Sequence, residues 1–196
     1  MIAIVDYGAG NLNSVKKAFD YLGAEVVVTD QAALVAAADK IVLPGVGHFS
    51  SLQALERTGL REVLLQSASA GKPFLGICLG MQWLFEGSEE CVELAGAGVF
   101  KGRCRRFPSS VKSPHVGWNS VTVQAGSRLL RGIAPDSFVY YTHSYYAPVP
   151  AETSAVSEYG LPFAGAVERE NIFGVQFHPE KSGEVGLSIL KNFCEV

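Results

Sequence analysis

The sequence predicts a three-layer α/β domain spanning residues 1–196, with a central mixed sheet that is mostly parallel and takes antiparallel additions from the C-terminal half. Three observations carry this expectation. Through the first half, short β-branched runs alternate with apolar residues at helical spacing, the grammar of crossover units in a parallel sheet covered on both faces. After about Gly96 the runs become short and are separated by Gly, Pro and Asn, which is the grammar of hairpins. The 196 residues, 48% apolar, suffice for one substantial core and are too few for two full domains.

The elements follow in order. Ile2 to Val5 is a β-branched run, and Leu12, Val15, Phe19 and Leu22 then recur at helical spacing, giving a first βα unit. Glu25 to Thr29, Lys40 to Leu43 and Pro73 to Ile77 are further strands, with helical stretches around Gln53 to Leu65 and after Cys78. Ser120 to Val123, Phe138 to Ser144, Phe163 to Glu168 and Ile172 to Phe177 supply the hairpins. The segment Glu184 to Phe193 sets Val185, Ile189 and Phe193 four residues apart, as a closing helix laid on the sheet requires.

Composition excludes several function classes. Sixteen basic against 19 acidic residues give a formal charge of −3, which offers nucleic acid no broad positive field. Asp6 interrupts the opening apolar run too early for a signal-peptide core, and no apolar run reaches membrane-spanning length, so a soluble cytoplasmic protein is expected. Cys78, Cys91, Cys104 and Cys194 are widely spaced, without the paired cysteines of zinc or redox motifs, so neither a metal site nor a disulfide scaffold is expected. Gly8-Ala9-Gly10 suggests a dinucleotide fingerprint, but Asn13 stands where its third glycine belongs, and no cofactor is expected. The basic tract Lys101 to Arg106 reads first as a solvated loop and second as an interface or a phosphate contact.

The chemistry concentrates at Gly76-Ile77-Cys78-Leu79-Gly80, where a buried strand runs into a helix. Glycines two positions either side of Cys78 let the chain turn sharply and project the thiol above the sheet, as in a nucleophile elbow. Unpaired amides at a helix start favour a thiolate, and the Leu79 amide is placed to stabilise an oxyanion. A core cysteine is the bland alternative, but it leaves the symmetric glycines unexplained. A thiol nucleophile needs a base. Among His48, His115, His143 and His178, context favours His178, which ends an apolar run and is followed by Pro179 and Glu180. Glu180 is then placed to orient the imidazole. His143 follows a strand-like run as well and remains a rival. Pro44-Gly45-Val46-Gly47, at the end of its own strand, offers flexible amides for an oxyanion hole. Trp118, between Gly117 and Asn119, reads as either a core residue or an exposed anchor for a partner.

Together, Gly-Ile-Cys-Leu-Gly-Met-Gln at 76 to 82 and Phe-His-Pro-Glu at 177 to 180 resemble the class I glutamine amidotransferases. Asp6 to Leu12, Pro44 to Phe49, Pro114 to Asn119 and His178 to Ser182 extend the likeness over most of the chain, toward the glutaminase subunits of imidazole glycerol phosphate synthases. The resemblance implies a flavodoxin-like fold in which Cys78 attacks the carboxamide of glutamine, with His178 and Glu180 completing a triad, through a glutamyl thioester. It implies that Gln82, Glu90, Ser144 and Tyr145 hold the substrate, that Val46, Gly47 and Leu79 form the oxyanion hole, and that His143 is a near-site residue rather than the base. It further implies a heterodimer with a separate (β/α)8-barrel cyclase subunit that receives the ammonia, with Asn11, Trp118, Tyr140 and Lys181 at the interface. The Gly-Trp-Asn stretch and the Pro-Gly-Val-Gly loop speak against relatives serving pyridoxal phosphate, anthranilate or purine synthesis. A non-catalytic scaffold is disfavoured because every triad position is filled.

Overall fold

In the computed structural model, which describes residues 1–196, the first half runs β1 (Ile2–Val5), α1 (Leu12–Tyr21), β2 (Val26–Thr29), α2 (Ala32–Ala37), β3 (Lys40–Gly45), a 3-10 helix (Phe49–Leu52), α3 (Gln53–Arg57), α4 (Leu60–Ser69), β4 (Phe74–Cys78) and α5 (Leu79–Trp83). The second half supplies β5 (Gly87–Ser88), β6 (Cys91–Ala95), β7 (Arg103–Arg106), β8 (His115–Val123), β9 (Ser137–His143), β10 (Tyr145–Tyr146), β11 (Thr153–Glu158), β12 (Pro162–Arg169), β13 (Ile172–Val175), a 3-10 helix (Pro179–Lys181) and α6 (Gly183–Glu195). No helix is long and apolar enough to cross a membrane.

Nine strands form one sheet in the order β2-β1-β3-β4-β13-β12-β11-β8-β9. The first five are mutually parallel and the last four are added antiparallel. The period-2 alternation of a strand sends neighbouring residues to opposite faces. Ala3, Val5, Ile41 and Leu43 therefore enter one apolar cluster, with Val35 of α2, Leu55 of α3, Leu60 and Leu64 of α4 and Met81 of α5. Ile2, Ile4, Val42, Leu75 and Ile77 enter the other, with Val15 and Phe19 of α1 and Ile189, Leu190 and Phe193 of α6. Phe19 and Phe193 meet edge to face with ring centroids 6.3 Å apart, which joins the two helices over that face. The result is helices, sheet, helices, the three layers that the sequence pattern implies.

Several expectations need adjustment. The helical stretch at 53–65 is broken, because Gly59 adopts φ +73 between α3 and α4. α2 is additional: its six residues bury only Val35, too little to display a period. A second, four-stranded sheet, β10-β7-β5-β6, flanks the first, and two of its strands have two residues each. The basic tract belongs to it. Arg103 to Arg106 is strand β7 rather than a solvated loop, with Cys104 wholly buried and Arg103 donating to the Ser88 and Val92 carbonyls.

Register is what brings the functional candidates together. Gly45 lies opposite Cys78 across β3 and β4, and Ile77 lies opposite Val175 across β4 and β13. Parallel strands in register end at the same edge, so the loop after β3, the elbow after β4 and the segment after β13 converge there.

Candidate active site

Cys78 sits between β4 and α5 at φ 54 and ψ −105, a left-handed conformation that costs a non-glycine residue on the order of 1–3 kcal/mol. Its flanking glycines are required by close approach. A Cβ on Gly76 would lie 2.6 Å from the Gly80 carbonyl oxygen, and one on Gly80 would overlap the carbonyl oxygen of Leu43. Gly45 is as confined, since a Cβ there would lie 2.8 Å from Cβ of Leu79 and strike the Tyr7 hydroxyl. α5 can fold back onto β4 and lean on β3 only because these positions carry no side chain.

His178 is buried at 1% exposure, just beyond β13. Its Nδ1 lies 2.9 Å from Glu180 Oε1, while Nε2 has no other hydrogen-bond partner within the chain. Burial alone would lower its pKa, but the charge and hydrogen bonding of Cys78 and Glu180 outweigh burial and raise it to about 10. The main chain here is pinned to the edge strand: the His178 amide donates to the Tyr140 carbonyl at 2.9 Å, and the Tyr140 amide donates to Ser182 Oγ at 3.0 Å.

His143, the rival base, is committed elsewhere. Its Nδ1 lies 2.8 Å from the Tyr145 carbonyl and its Nε2 3.1 Å from His115 Nδ1. A carbonyl only accepts, so His143 Nδ1 donates, its Nε2 accepts from His115, and His115 Nε2 accepts from Asn119 Nδ2 at 3.4 Å. Burial lowers His143 to about 3 and His115 to about 4, so both stay neutral. This carries a pH prediction. The unfolded chain takes up these protons near pH 6.5 whereas the folded protein does not, so the pair costs no stability above that pH. Stability falls as the pH drops from about 6.5 toward 4, by up to about 1.4 kcal/mol per pH unit for His143 and by less for His115. Urea midpoints should decline between pH 7 and pH 5; a flat series would show that the pair titrates normally in the fold.

A cavity of about 300 Å³ opens over the elbow, at the small end of ligand pockets. Its walls include Gly47, Cys78, Leu79, Gln82, Glu90, Ser144 and Tyr145, so the residues expected to hold substrate share one space with the thiol. Val46 is half-buried in the loop beside Gly47 and does not line this cavity. Glu90 Oε2 accepts from the Phe49 amide at 2.7 Å, which ties it to the 3-10 helix after that loop. The sequence reading missed Gln176. It is wholly buried, its Nε2 lies 3.6 Å from Cys78 Sγ, and its Oε1 lies 3.1 Å from Gln82 Nε2. The available signal was an amide in the otherwise apolar run Ile172 to Phe177. No cluster of three or more His, Cys, Asp or Glu side chains is arranged to hold a metal.

Beyond the cavity, Trp118 and Tyr140 pair across β8 and β9 with ring centroids 6.1 Å apart, and Lys181 Nζ sits 5.8 Å from the Tyr140 ring centroid. Trp118 is 55% exposed, so it is no core residue, and the exposed side chains of Val116 and Phe138 enlarge the same strand pair's apolar surface. Asn11 stands apart from these three contacts, at the start of α1, the helix packed beside Pro179–Lys181.

The family model described as glutamine amidotransferase class-I matches residues 3–196. The chain is 49% identical over 195 residues to imidazole glycerol phosphate synthase subunit HisH of Bacillus cereus, covering 98% of this chain and 93% of that one. It is 48% identical over 197 residues to the subunit of the same name from Methanothermobacter thermautotrophicus, covering 100% and 98%. Among solved structures it is similar to a glutamine amidotransferase with TM-score 0.79 at 16% identity, covering 100% and 98% of the chains. PurLQS from Thermotoga maritima matches with TM-score 0.76 at 19% identity, covering 99% and 97%. At those identities the two structures speak to the fold alone.

Proposed function

The chain belongs to the class-I glutamine amidotransferase family, and from that premise we propose that it hydrolyses L-glutamine to L-glutamate and ammonia, delivering the ammonia to the (β/α)8-barrel cyclase subunit of imidazole glycerol phosphate synthase in histidine biosynthesis. It would act as one cytoplasmic domain without a cofactor. The observation that carries the chemistry is a buried thiol on a strained elbow, beside an imidazole whose far nitrogen is held by Glu180. The acceptor is inferred from the names of the two relatives that match almost end to end.

The Cys78 sulfur attacks the carboxamide carbon, and the oxyanion that forms is held by amides of Leu79 and the Val46-Gly47 loop. His178, which takes up the proton of the Cys78 thiol, hands it to the departing nitrogen, ammonia leaves, and a glutamyl thioester remains on the sulfur. His178 then takes a proton from water, which attacks the thioester to release glutamate and restore the thiol. Glu180 keeps the imidazole in the tautomer these transfers need. Glu90 is the only acidic side chain lining the cavity and suits the α-ammonium of glutamine; Gln82, Ser144 and Tyr145 take the remaining polar atoms.

The test is glutamate release by the purified chain, alone and mixed with the cyclase and its nucleotide ligand. Low release alone and stimulation by more than about tenfold in the full mixture is the expected outcome. Response only to another synthase would overturn the acceptor, and none with any partner would leave a non-catalytic scaffold. In the same assay Trp118→Ala should weaken cyclase affinity by more than about 1 kcal/mol, since aromatic anchors dominate interfaces. Unchanged affinity and stimulation would move the interface elsewhere.

A further inference from the structure

Gln176 is wholly buried at the end of β13 and takes part in none of the steps above. Its orientation is dictated by its neighbours. The Tyr145 carbonyl can only accept, so the Gln82 atom 2.9 Å from it is the amide nitrogen. The other proton of that nitrogen points to Gln176, 3.1 Å away, which must therefore present its oxygen there. Gln176 is left with its own amide nitrogen facing Cys78 Sγ at 3.6 Å. One backbone carbonyl thus fixes the polarity of a chain that ends on the nucleophile.

We propose that Gln176 is a positioning residue for Cys78, donating a hydrogen bond that holds the sulfur over the cavity and favours its thiolate, and that Gln82 keeps Gln176 turned to do so. The proposal rests on the glutaminase reading and deepens it, because Gln82 then serves the nucleophile as well as the substrate wall. A charged acceptor gains more from a donor than a neutral one, so the bond is worth most when the proton has left the sulfur. Other groups face the thiol too: His178 from the segment after β13, Tyr7 from the loop after β1, and Glu90 and His143 across the cavity. They stay in place when Gln176 alone is changed.

The experiment is the pH dependence of Cys78 alkylation by iodoacetamide in the full chain without glutamine or partner, followed at that residue by peptide mass spectrometry. Gln176→Met, which keeps the length and loses the donor, should raise the midpoint by about one pH unit, a tenfold slower reaction below it. Gln82→Met should shift it the same way by less, because Gln176 remains but is no longer aimed. Should Gln176→Met not fold, Gln82→Met carries the test alone. An unchanged midpoint in the folded variant overturns the proposal. Failure of the glutaminase reading shows separately, as absent glutamate release by the unaltered chain, and leaves the alkylation shift measurable.

Discussion

Cys78→Ala is expected to abolish glutamate release, a loss of roughly four to six orders of magnitude, while the cyclase continues to make product from free ammonia. The size follows from the arrangement. In the proposed mechanism no acyl intermediate forms without the sulfur, and what remains of the site would only bind glutamine and polarise it. The same substitution removes the largest influence that raises the His178 pKa, now about 10, so the imidazole titrates lower. Paired assays with glutamine and with ammonium salts, and an imidazole NMR titration, measure both effects. Glutamate release within about tenfold of the parent would sink the thioester mechanism.

Gly80→Ala is expected to destabilise the fold by about 3 kcal/mol or more, at the severe end of single substitutions. The added methyl would overlap the Leu43 carbonyl oxygen, which belongs to a central strand and cannot retreat without parting β3 from its neighbours. Gly47→Ala is the informative contrast. Gly47 has φ +98 but nothing within 4 Å of a Cβ, so only the backbone penalty of about 1 kcal/mol applies. Urea unfolding of the two variants side by side measures the difference. A Gly80→Ala protein as stable as the parent would mean that α5 is free to lift off the sheet.

The parts of this protein that were legible in the sequence are those whose physics is local. The elbow announced itself because a strained turn and two tight approaches within five residues demand glycines around one side chain. His178 and Glu180 were legible as a neighbouring pair at the end of an apolar run, but Pro179 opens a 3-10 helix, and that turn rather than an extended chain brings Glu180 within 2.9 Å of the ring. The parallel strands showed through their β-branched runs. The second sheet did not, since β5 and β10 are two residues long and cannot display alternation. Gln176 escaped because its meaning lies 98 residues away, on Cys78, and a buried amide within an apolar run carries no mark of its partner. From the residues alone His143 stood beside His178 as a candidate base, and the hydrogen bonds that commit it to the Tyr145 carbonyl and His115 are encoded by no spacing.

β13, the final strand in sequence, is the fifth of nine in the large sheet, between β4 and β12. During synthesis, which proceeds from the N-terminus, eight strands of that sheet leave the ribosome before the one that joins its two halves. Until Ile172–Val175 arrives, β4 and β12 each present an open edge, and pairing them early would exclude the last strand. The same insertion delivers Gln176, His178 and Glu180 to Cys78. A chain that lacks its last 25 or so residues is therefore both unclosed and without the imidazole and carboxylate that stand beside Cys78.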